Sequence, residues 1–379
     1  MYFIYYVIFL LFFSDNNKMS VPDNTFINDI RDTKSFKSTS FSGYKLTDVK
    51  KQLIENMKKG KIEPACYWSA ELVCSGHFSD IWECIIFFVG KYINIANPKI
   101  ALYIDKRYTV FKNIMNQKHF NLEIDLRNNL TIRNMFAEII SILATSNKKT
   151  GFEAIKINKD EEFDLTSMKE HFKAKDTNYA NEVFFNDDAK ELFIPINEFA
   201  FSINQEYCNV QQACYWIEWI IEFDIKCRKI KLPCKCRRRN VNVDNKFQTD
   251  SIWIVWDVLI NKVENHKNSN YLLPIMKSLR EIFCAKYSLG TTKKRKFLLY
   301  YAVQLISENI NFNIEIVNNK ELIQNIINKI NEIYKQIKKE EVTPKTDYLF
   351  NNLNKKQNLE NSIAKINMID NMDFIPRND

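Results

Sequence analysis

The chain has 379 residues, 46% apolar and 13% aromatic, so it can bury a substantial core and is not disordered throughout. Its six glycines are few and scattered, and the sequence contains neither a P-loop nor the G-x-G-x-x-G motif of a Rossmann core. The formal net charge of +8 is a weak indication of an anionic partner, because lysine and asparagine are abundant along the whole chain.

The first 43 residues are predicted to be an N-terminal extension followed by a polar arm. Residues 1–13 are largely aromatic and apolar, but the run is shorter than the roughly 20 residues of a membrane span and lacks the positive start of a secretory signal. We interpret residues 1–18 as an upstream extension, with a membrane anchor or signal segment as the alternative. Residues 14–43 are rich in Ser, Thr, Asn and Asp, which is typical of a poorly ordered arm.

Residues 44–147 are predicted to form the first of two helical units. Five helical patterns follow one another there, separated by short turns, which favour antiparallel neighbours. The expected start and stop signals, in chain order, are a cap at Thr47, a stop at Gly60, a first-turn Pro64, a stop at Gly76, a cap at Ser79, and openings at Asn97-Pro98 and Thr131.

The remainder of the chain divides into a connector, a second helical unit and a tail. Residues 148–204 lead from a charged stretch into ELFIPINEFAF, whose short apolar runs predict either two strands or an irregular connection. We therefore expect a mixed α/β connector. Helical periodicity returns over residues 205–340 and predicts the second helical unit, and residues 341–379 are rich in Asn and Lys, as expected of a flexible tail.

The tetrapeptide Ala-Cys-Tyr-Trp occurs twice, at residues 65–68 and 213–216. Side chains four positions apart share a helix face, as Tyr215 and Trp219 do, so each copy is expected to open a core helix with a wide aromatic face. Two origins stay open. Two helices independently need small residues beside large ones in their first turn, or the chain contains an internal duplication.

The first copy lies in the stretch EPACYWSAELVCSGHFSDIWECIIFFVGKYINIANPKIALY, which resembles the C-terminal helical collar of the clamp-loader clade of AAA+ ATPases. The resemblance covers residues 61–105 and implies a helical packing unit. The ATPase core that such collars serve is absent from the sequence. The residues that carry the resemblance are Tyr67, Trp68 and Ala70 in a Tyr-Trp-x-Ala helix, Gly76 in the next turn, and Ala96, Asn97 and Pro98 at the entry to a further helix.

Most of residues 45–300 also resembles an uncharacterised protein family encoded by large DNA viruses of eukaryotes. The matching stretches are NPKIALYIDKRYTVFKNI, TIRNMFAEIISILATSNKK, ACYWIEWIIEFDIKCR and SIWIVWDVLI. The resemblance implies no established activity. It implies a location in a viral factory in the host cytoplasm or in the virion.

Two groups of cations are the strongest signal for a partner. A helix C terminus favours a few cations through its dipole, so a solvated helix end is the alternative interpretation. The cations beyond those few are what a protein needs in order to bind the phosphate backbone of a nucleic acid. No aromatic residues interleave with the cations for base stacking. The basic run contains Lys226, Arg228, Lys229, Lys231, Lys235, Arg237, Arg238 and Arg239, and the second basic cluster contains Lys293, Lys294, Arg295 and Lys296.

Nine cysteines, an odd number found mostly in apolar patterns, indicate reduced thiols in a cytosolic compartment. The spacing of the five near the basic run does not match the paired C-x-x-C knuckles of a zinc site, so we predict no metal and no other cofactor. Those five are Cys208, Cys214, Cys227, Cys234 and Cys236.

Support for catalysis is thin, and we predict no catalytic residue. Cys74 and His77 are a conceivable nucleophile and base, but no third group is placed to orient them. Glu218 and Glu222 share a helical face, but neither belongs to a Glu-x-x-His motif, so an ion-paired or solvated face is expected.

The sequence therefore predicts a mainly α, non-enzymatic viral accessory protein that binds DNA or RNA through backbone phosphates. Viral proteins are possible further partners, whereas neither a small-molecule substrate nor a membrane is expected. The alternative is a virion structural or assembly protein whose cations meet acidic protein or membrane surfaces. Replacing Arg237, Arg238 and Arg239 together with Ala should weaken binding while changing stability little.

Overall fold

The computed structural model describes residues 21–116, 123–158, 161–163 and 168–342, and Ile363. Within those ranges the chain is mainly helical and contains no β-strand, which confirms the predicted mainly α fold class. None of the described helices is both long and apolar enough to cross a bilayer. The helices are α1 (Leu46–Lys58), α2 (Ile62–Cys74), α3 (Phe78–Phe88), α4 (Ile100–Met115), α5 (Leu130–Thr145), α6 (Phe193–Ser202), α7 (Val210–Lys229), α8 (Ile252–Glu264), α9 (Ser269–Cys284), α10 (Thr291–Lys294), α11 (Lys296–Ser307) and α12 (Lys320–Ile337).

The five helices predicted in residues 44–147 are the observed α1 to α5. Gly60 follows α1 with a φ of +70° and Gly76 follows α2 with a φ of +76°, conformations that glycine adopts without a Cβ penalty. Pro64 lies in the first turn of α2, and α4 begins at Ile100, two residues after Pro98. The stop signals in this region are therefore confirmed.

The predicted N-terminal caps are less accurate. The side chain of Asn129 accepts a hydrogen bond from the Ile132 N–H (3.0 Å), so Asn129 rather than Thr131 caps α5. Thr47 and Ser79 each lie inside the helix they were expected to cap, and neither α1 nor α3 has a side-chain cap. Packing of their apolar faces extends these two helices by a residue or two beyond the local capping signal.

Residues 21–43 are packed against the helices, contrary to the poorly ordered arm expected from their composition. Ile27, Phe36 and Phe41 are buried in the core. Three apolar anchors are enough to hold a segment whose average composition is polar, so composition alone was misleading. Residues 1–18, the predicted extension, lie outside the described residues, as does the predicted tail 341–379 apart from residues 341, 342 and 363.

The connector is not of mixed α/β character where the structure describes it. ELFIPINEFAF forms a short 3₁₀ turn followed by α6, which packs against α7. Pro195 is the third residue of α6, within the first turn, where a missing N–H costs no intrahelical bond. The short apolar runs therefore belong to a helix buried on most of its surface, a pattern that periodicity alone does not distinguish from a buried strand.

The two predicted helical units share one core. Buried apolar side chains from Ile27 to Ile337 form a single contiguous cluster. α4 packs against α9, and α12 packs against α5 and α2. A π-helical segment, Val89–Ile93, follows α3 and brings Gly90 against the start of α11, where a Cβ on Gly90 would lie 2.9 Å from the Phe297 carbonyl carbon.

Arg133 on α5 joins the two ends of the described fold. Its guanidinium donates to the Thr25 carbonyl oxygen (3.1 Å) and to Asn128 Oδ1 (3.0 Å). It also lies over the ring of Tyr334 on α12, with 3.9 Å between the guanidinium carbon and the ring centroid. The side chain is fully buried, so these carbonyl, amide and cation–π contacts replace the interactions with water that the guanidinium loses on burial.

Candidate nucleic-acid interface

The basic run begins on α7, which is anchored by the second Ala-Cys-Tyr-Trp copy. The Asn209 side chain caps α7 by accepting from the Gln212 N–H (3.0 Å). Trp216 is fully buried and meets Tyr215 edge to face, with ring centroids 5.1 Å apart. Both copies therefore open core helices as expected, although the first copy, around Tyr67, is only half-buried.

Two buried glutamates on α7 are paired with lysines of the second basic cluster. Lys296 Nζ lies 2.6 Å from Glu218 Oε1, and Lys293 Nζ lies 2.7 Å from Glu222 Oε1. Glu218 also accepts from the Tyr300 hydroxyl. The ion-paired face expected for Glu218 and Glu222 is present, but its partners come from a cluster that was predicted to bind phosphates.

Arg295 is also used inside the fold. Its side chain is 3% exposed and lies 2.5 Å from Glu83 Oε1. The same guanidinium donates to the Phe283 carbonyl oxygen (2.8 Å). Arg295 and Lys296 are therefore removed from the predicted footprint, Lys293 is exposed but neutralised, and Lys294 is exposed without a carboxylate partner among the described residues.

Arg239, the last cation of the basic run, is buried as well. Its guanidinium donates to both carboxylate oxygens of Asp188 (2.9 and 2.8 Å) and to Asp257 Oδ2 (2.6 Å). Burial of this group leaves it no face for a phosphate, so its assignment to the footprint is wrong. Replacing Arg237, Arg238 and Arg239 together should therefore lower stability, and not change it little as the sequence indicated, because Arg239 is buried in ion pairs.

Arg228 forms a bridge between α7 and the start of α8. It contacts Asp224 Oδ2 (2.6 Å) and Asp250 Oδ1 (2.9 Å), and the Tyr287 hydroxyl donates to Asp250 Oδ2 (3.0 Å). Burial raises the pKa of Asp224 even though the Arg228 guanidinium opposes that shift. Arg228 thus holds the base of the basic run against α8.

One residue from each of the two groups of cations lines a cavity of about 30 Å³. Arg228 and Lys293 both line it, with Tyr287 and Thr292 between them. A space of this size holds roughly two or three water molecules, because one water needs about 10–15 Å³. The basic run and the second basic cluster are therefore neighbours, which their separation in sequence did not reveal.

After these corrections the exposed footprint is smaller than the predicted set. Arg237 keeps its side chain exposed while its backbone N–H donates to Asp188 (2.8 Å), and its guanidinium lies 4.5 Å from the Phe185 ring centroid. None of the following exposed cations pairs with a carboxylate in the part of the chain that the structure describes: Lys226, Lys229, Lys231, Lys235, Arg237, Arg238 and Lys294.

The cysteines near the basic run do not form a metal centre among the described residues. All are free thiols, and nowhere in the described ranges do three potential metal-ligating side chains converge. Burial raises the pKa of Cys236 to about 12, so this thiol is neutral at physiological pH. Asp80 lies 3.4 Å from His77 Nδ1, so the expectation that no third group orients His77 is wrong. The other imidazole nitrogen contacts the Phe36 carbonyl oxygen (2.7 Å) and Cys74 is fully buried, so the pair gains no support as a nucleophile and base.

The acidic partners are the functional residues that sequence reasoning missed. Asp224 stands four positions before Arg228 on one helix, a spacing that predicts the pair. Asp188 and Glu83 are far from their arginine partners in sequence and give no local signal. No protein-family model matches this chain, and neither a curated protein nor a solved structure is similar enough to match it. The resemblances stated from the sequence therefore remain predictions.

Proposed function

We propose that the protein is a non-enzymatic nucleic-acid-binding protein that holds the phosphate backbone with the exposed cations of the basic run. The observation that carries this proposal is the charge imbalance at the end of α7. Six exposed cations within residues 226–238 have no carboxylate partner in the described ranges, while the half-buried Arg228 and the buried Arg239 beside them are each neutralised by Asp. A polyanion supplies the missing counter-charge.

A solvated helix end is a weaker explanation of the same cations. The helix dipole acts on charges within the last turn, where Lys226 and Lys229 already lie. Lys235, Arg237 and Arg238 come after α7 has ended, so the dipole does not account for them. Mutual repulsion among them is relieved only by salt or by an anionic partner.

The viral setting of this proposal rests on the sequence resemblance to the virus-encoded family. In that setting the protein is an accessory factor of a cytoplasmic viral factory or of the virion. The alternative is a virion assembly protein, in which the same cations bind an acidic protein or membrane surface. The two functions differ in how affinity depends on salt, because phosphate neutralisation releases condensed counterions.

The test is a titration of the full chain with labelled duplex DNA, single-stranded DNA and RNA over a series of salt concentrations. We expect affinity to be similar for unrelated sequences and to fall steeply with salt. An Arg237→Ala/Arg238→Ala variant should lower the slope of log affinity against log salt by about 1.8 for duplex DNA, at 0.9 per phosphate contact. Arg239 is left intact so that the fold is preserved.

The matched control is Lys329→Ala/Lys335→Ala, which removes the same charge from the exposed side of α12. This variant should keep the wild-type slope. If wild type shows no salt-dependent affinity, or if both double variants bind alike, the basic run does not bind nucleic acid. The function as a virion assembly protein is then favoured.

A further inference from the structure

α7 ends at Lys229 and is followed by the segment Ile230-Lys231-Leu232, which we call the α7 tip. Ile230 is 62% exposed and Leu232 is 69% exposed, the two highest values for large apolar side chains in the described part of the chain. Single exposed aliphatic residues are ordinary in soluble proteins. Two of them in one turn, within the densest group of unpaired cations, are a small apolar surface set in a basic one.

The α7 tip is held in a defined backbone conformation. The Leu232 N–H donates to the Cys227 carbonyl oxygen (2.9 Å) and the Lys231 N–H donates to the Arg228 carbonyl oxygen (3.1 Å), which is the pairing of a Schellman motif. Lys231 has a φ of +62° at the position that glycine normally occupies. A strained cation therefore lies between two exposed aliphatic side chains.

We propose that the α7 tip is a wedge that inserts Ile230 and Leu232 between base pairs of duplex DNA and kinks the duplex. The inference rests on the proposed function, because the surrounding cations must first hold the phosphates. Proteins that kink DNA insert aliphatic side chains such as Leu and Ile at a base step while neighbouring cations bind the backbone. A rigid turn that presents two such side chains among free cations has that combination of features.

Charge and apolar area together favour DNA over a lipid bilayer. An anionic bilayer attracts the same lysines, but stable anchoring requires an apolar group larger than a single myristoyl chain, which by itself gives only marginal, reversible binding. Ile230 and Leu232 together bury less apolar surface than such a chain. A base step, in contrast, accommodates only one or two aliphatic side chains.

The experiment measures bending of a short duplex DNA by energy transfer between dyes on its two ends, with the full chain added. Wild type should shorten the end-to-end distance. It should also bind a duplex with a central mismatch several-fold more tightly than a perfect duplex, because a mismatch lowers the cost of unstacking. An Ile230→Ser/Leu232→Ser variant should lose the bend and the mismatch preference and bind perfect duplex roughly tenfold less tightly.

The salt slope separates this inference from the proposed function. The Ile230→Ser/Leu232→Ser variant keeps every cation, so its slope of log affinity against log salt should equal that of wild type. The matched control is Ile30→Ser/Leu322→Ser, which removes an exposed Ile and an exposed Leu elsewhere and should bend DNA normally.

Each contrary result has a separate meaning. Absence of salt-dependent binding by wild type rejects the proposed function and the wedge with it. Salt-dependent binding without a bend, or an equal bend by the Ile230→Ser/Leu232→Ser variant, rejects the wedge alone. If phosphatidylserine vesicles bind wild type but not this variant, and DNA stays straight, the α7 tip is a lipid contact and the wedge is wrong.

Discussion

The basic run and the second basic cluster look alike in the sequence but have different roles in the fold. In the second cluster, Lys293, Arg295 and Lys296 each meet a glutamate, and those contacts join α10 and α11 to α7 and α3. In the basic run, the burial of Arg239 and the bridging by Arg228 fix the segment, while six other cations stay exposed. The position of the acidic partners, rather than the density of cations, decides which lysines and arginines remain available to bind.

The largest expected effect comes from the buried member of the basic run. Arg239→Ala should lower the free energy of unfolding by about 3–5 kcal/mol, because it leaves the buried Asp188 carboxylate without its counter-ion. Arg238→Ala, one residue earlier and exposed, should change the same quantity by less than about 0.5 kcal/mol. Urea unfolding of both variants measures the difference, and equal stabilities would remove the distinction between structural and free cations.

A smaller loss is expected in the second basic cluster. Lys296→Met should cost about 2 kcal/mol, less than Arg239→Ala because Lys296 pairs with one carboxylate, Glu218, whereas Arg239 pairs with both Asp188 and Asp257. The salt slope of DNA binding should not change. The matched variant is Lys294→Met, which should leave stability unchanged. A Lys296→Met protein with full stability and a lowered salt slope would show that Lys296 binds phosphate after all.

The smallest expected effect is an increase in the free energy of unfolding. Lys231→Gly should raise the free energy of unfolding by about 0.5–1 kcal/mol, because glycine adopts the positive φ of this position without strain. It should also lower the salt slope by about 0.9, since one cation is lost. Lys226→Gly loses the same charge inside α7 and should instead destabilise the protein by about 0.5–1 kcal/mol. Thermal unfolding that ranks these two variants in the reverse order contradicts the role assigned to Lys231.

Patterns within a few consecutive residues predict much of the fold and little of the candidate site. Gly60, Gly76 and Pro64 act through their own backbone geometry, so their effects are visible in a few consecutive residues. The helix at ELFIPINEFAF was missed because it is buried on most of its surface, which removes the amphipathic periodicity that distinguishes a helix from a strand.

The site is defined largely by ion pairs between residues that are far apart in the sequence. Arg239 and Asp188 are 51 positions apart, and Arg295 and Glu83 are 212 apart, so neither ion pair has a sequence signature. The pair of Arg228 with Asp224 has the spacing of adjacent helical turns and was within reach of sequence reasoning. The exposed pair Ile230 and Leu232 was also visible as two aliphatic residues inside a basic run, but its exposure depends on where α7 ends.

The contact of Arg133 with Tyr334 has a consequence for synthesis of the protein. α5 leaves the ribosome long before α12, which covers it, and at 5–20 residues per second the delay is on the order of ten seconds or more. During that interval the Arg133 guanidinium lacks its aromatic partner, and the apolar faces of α2 and α5 that α12 buries are open to water. Until α12 emerges, the nascent chain therefore exposes apolar surface of the kind that favours aggregation.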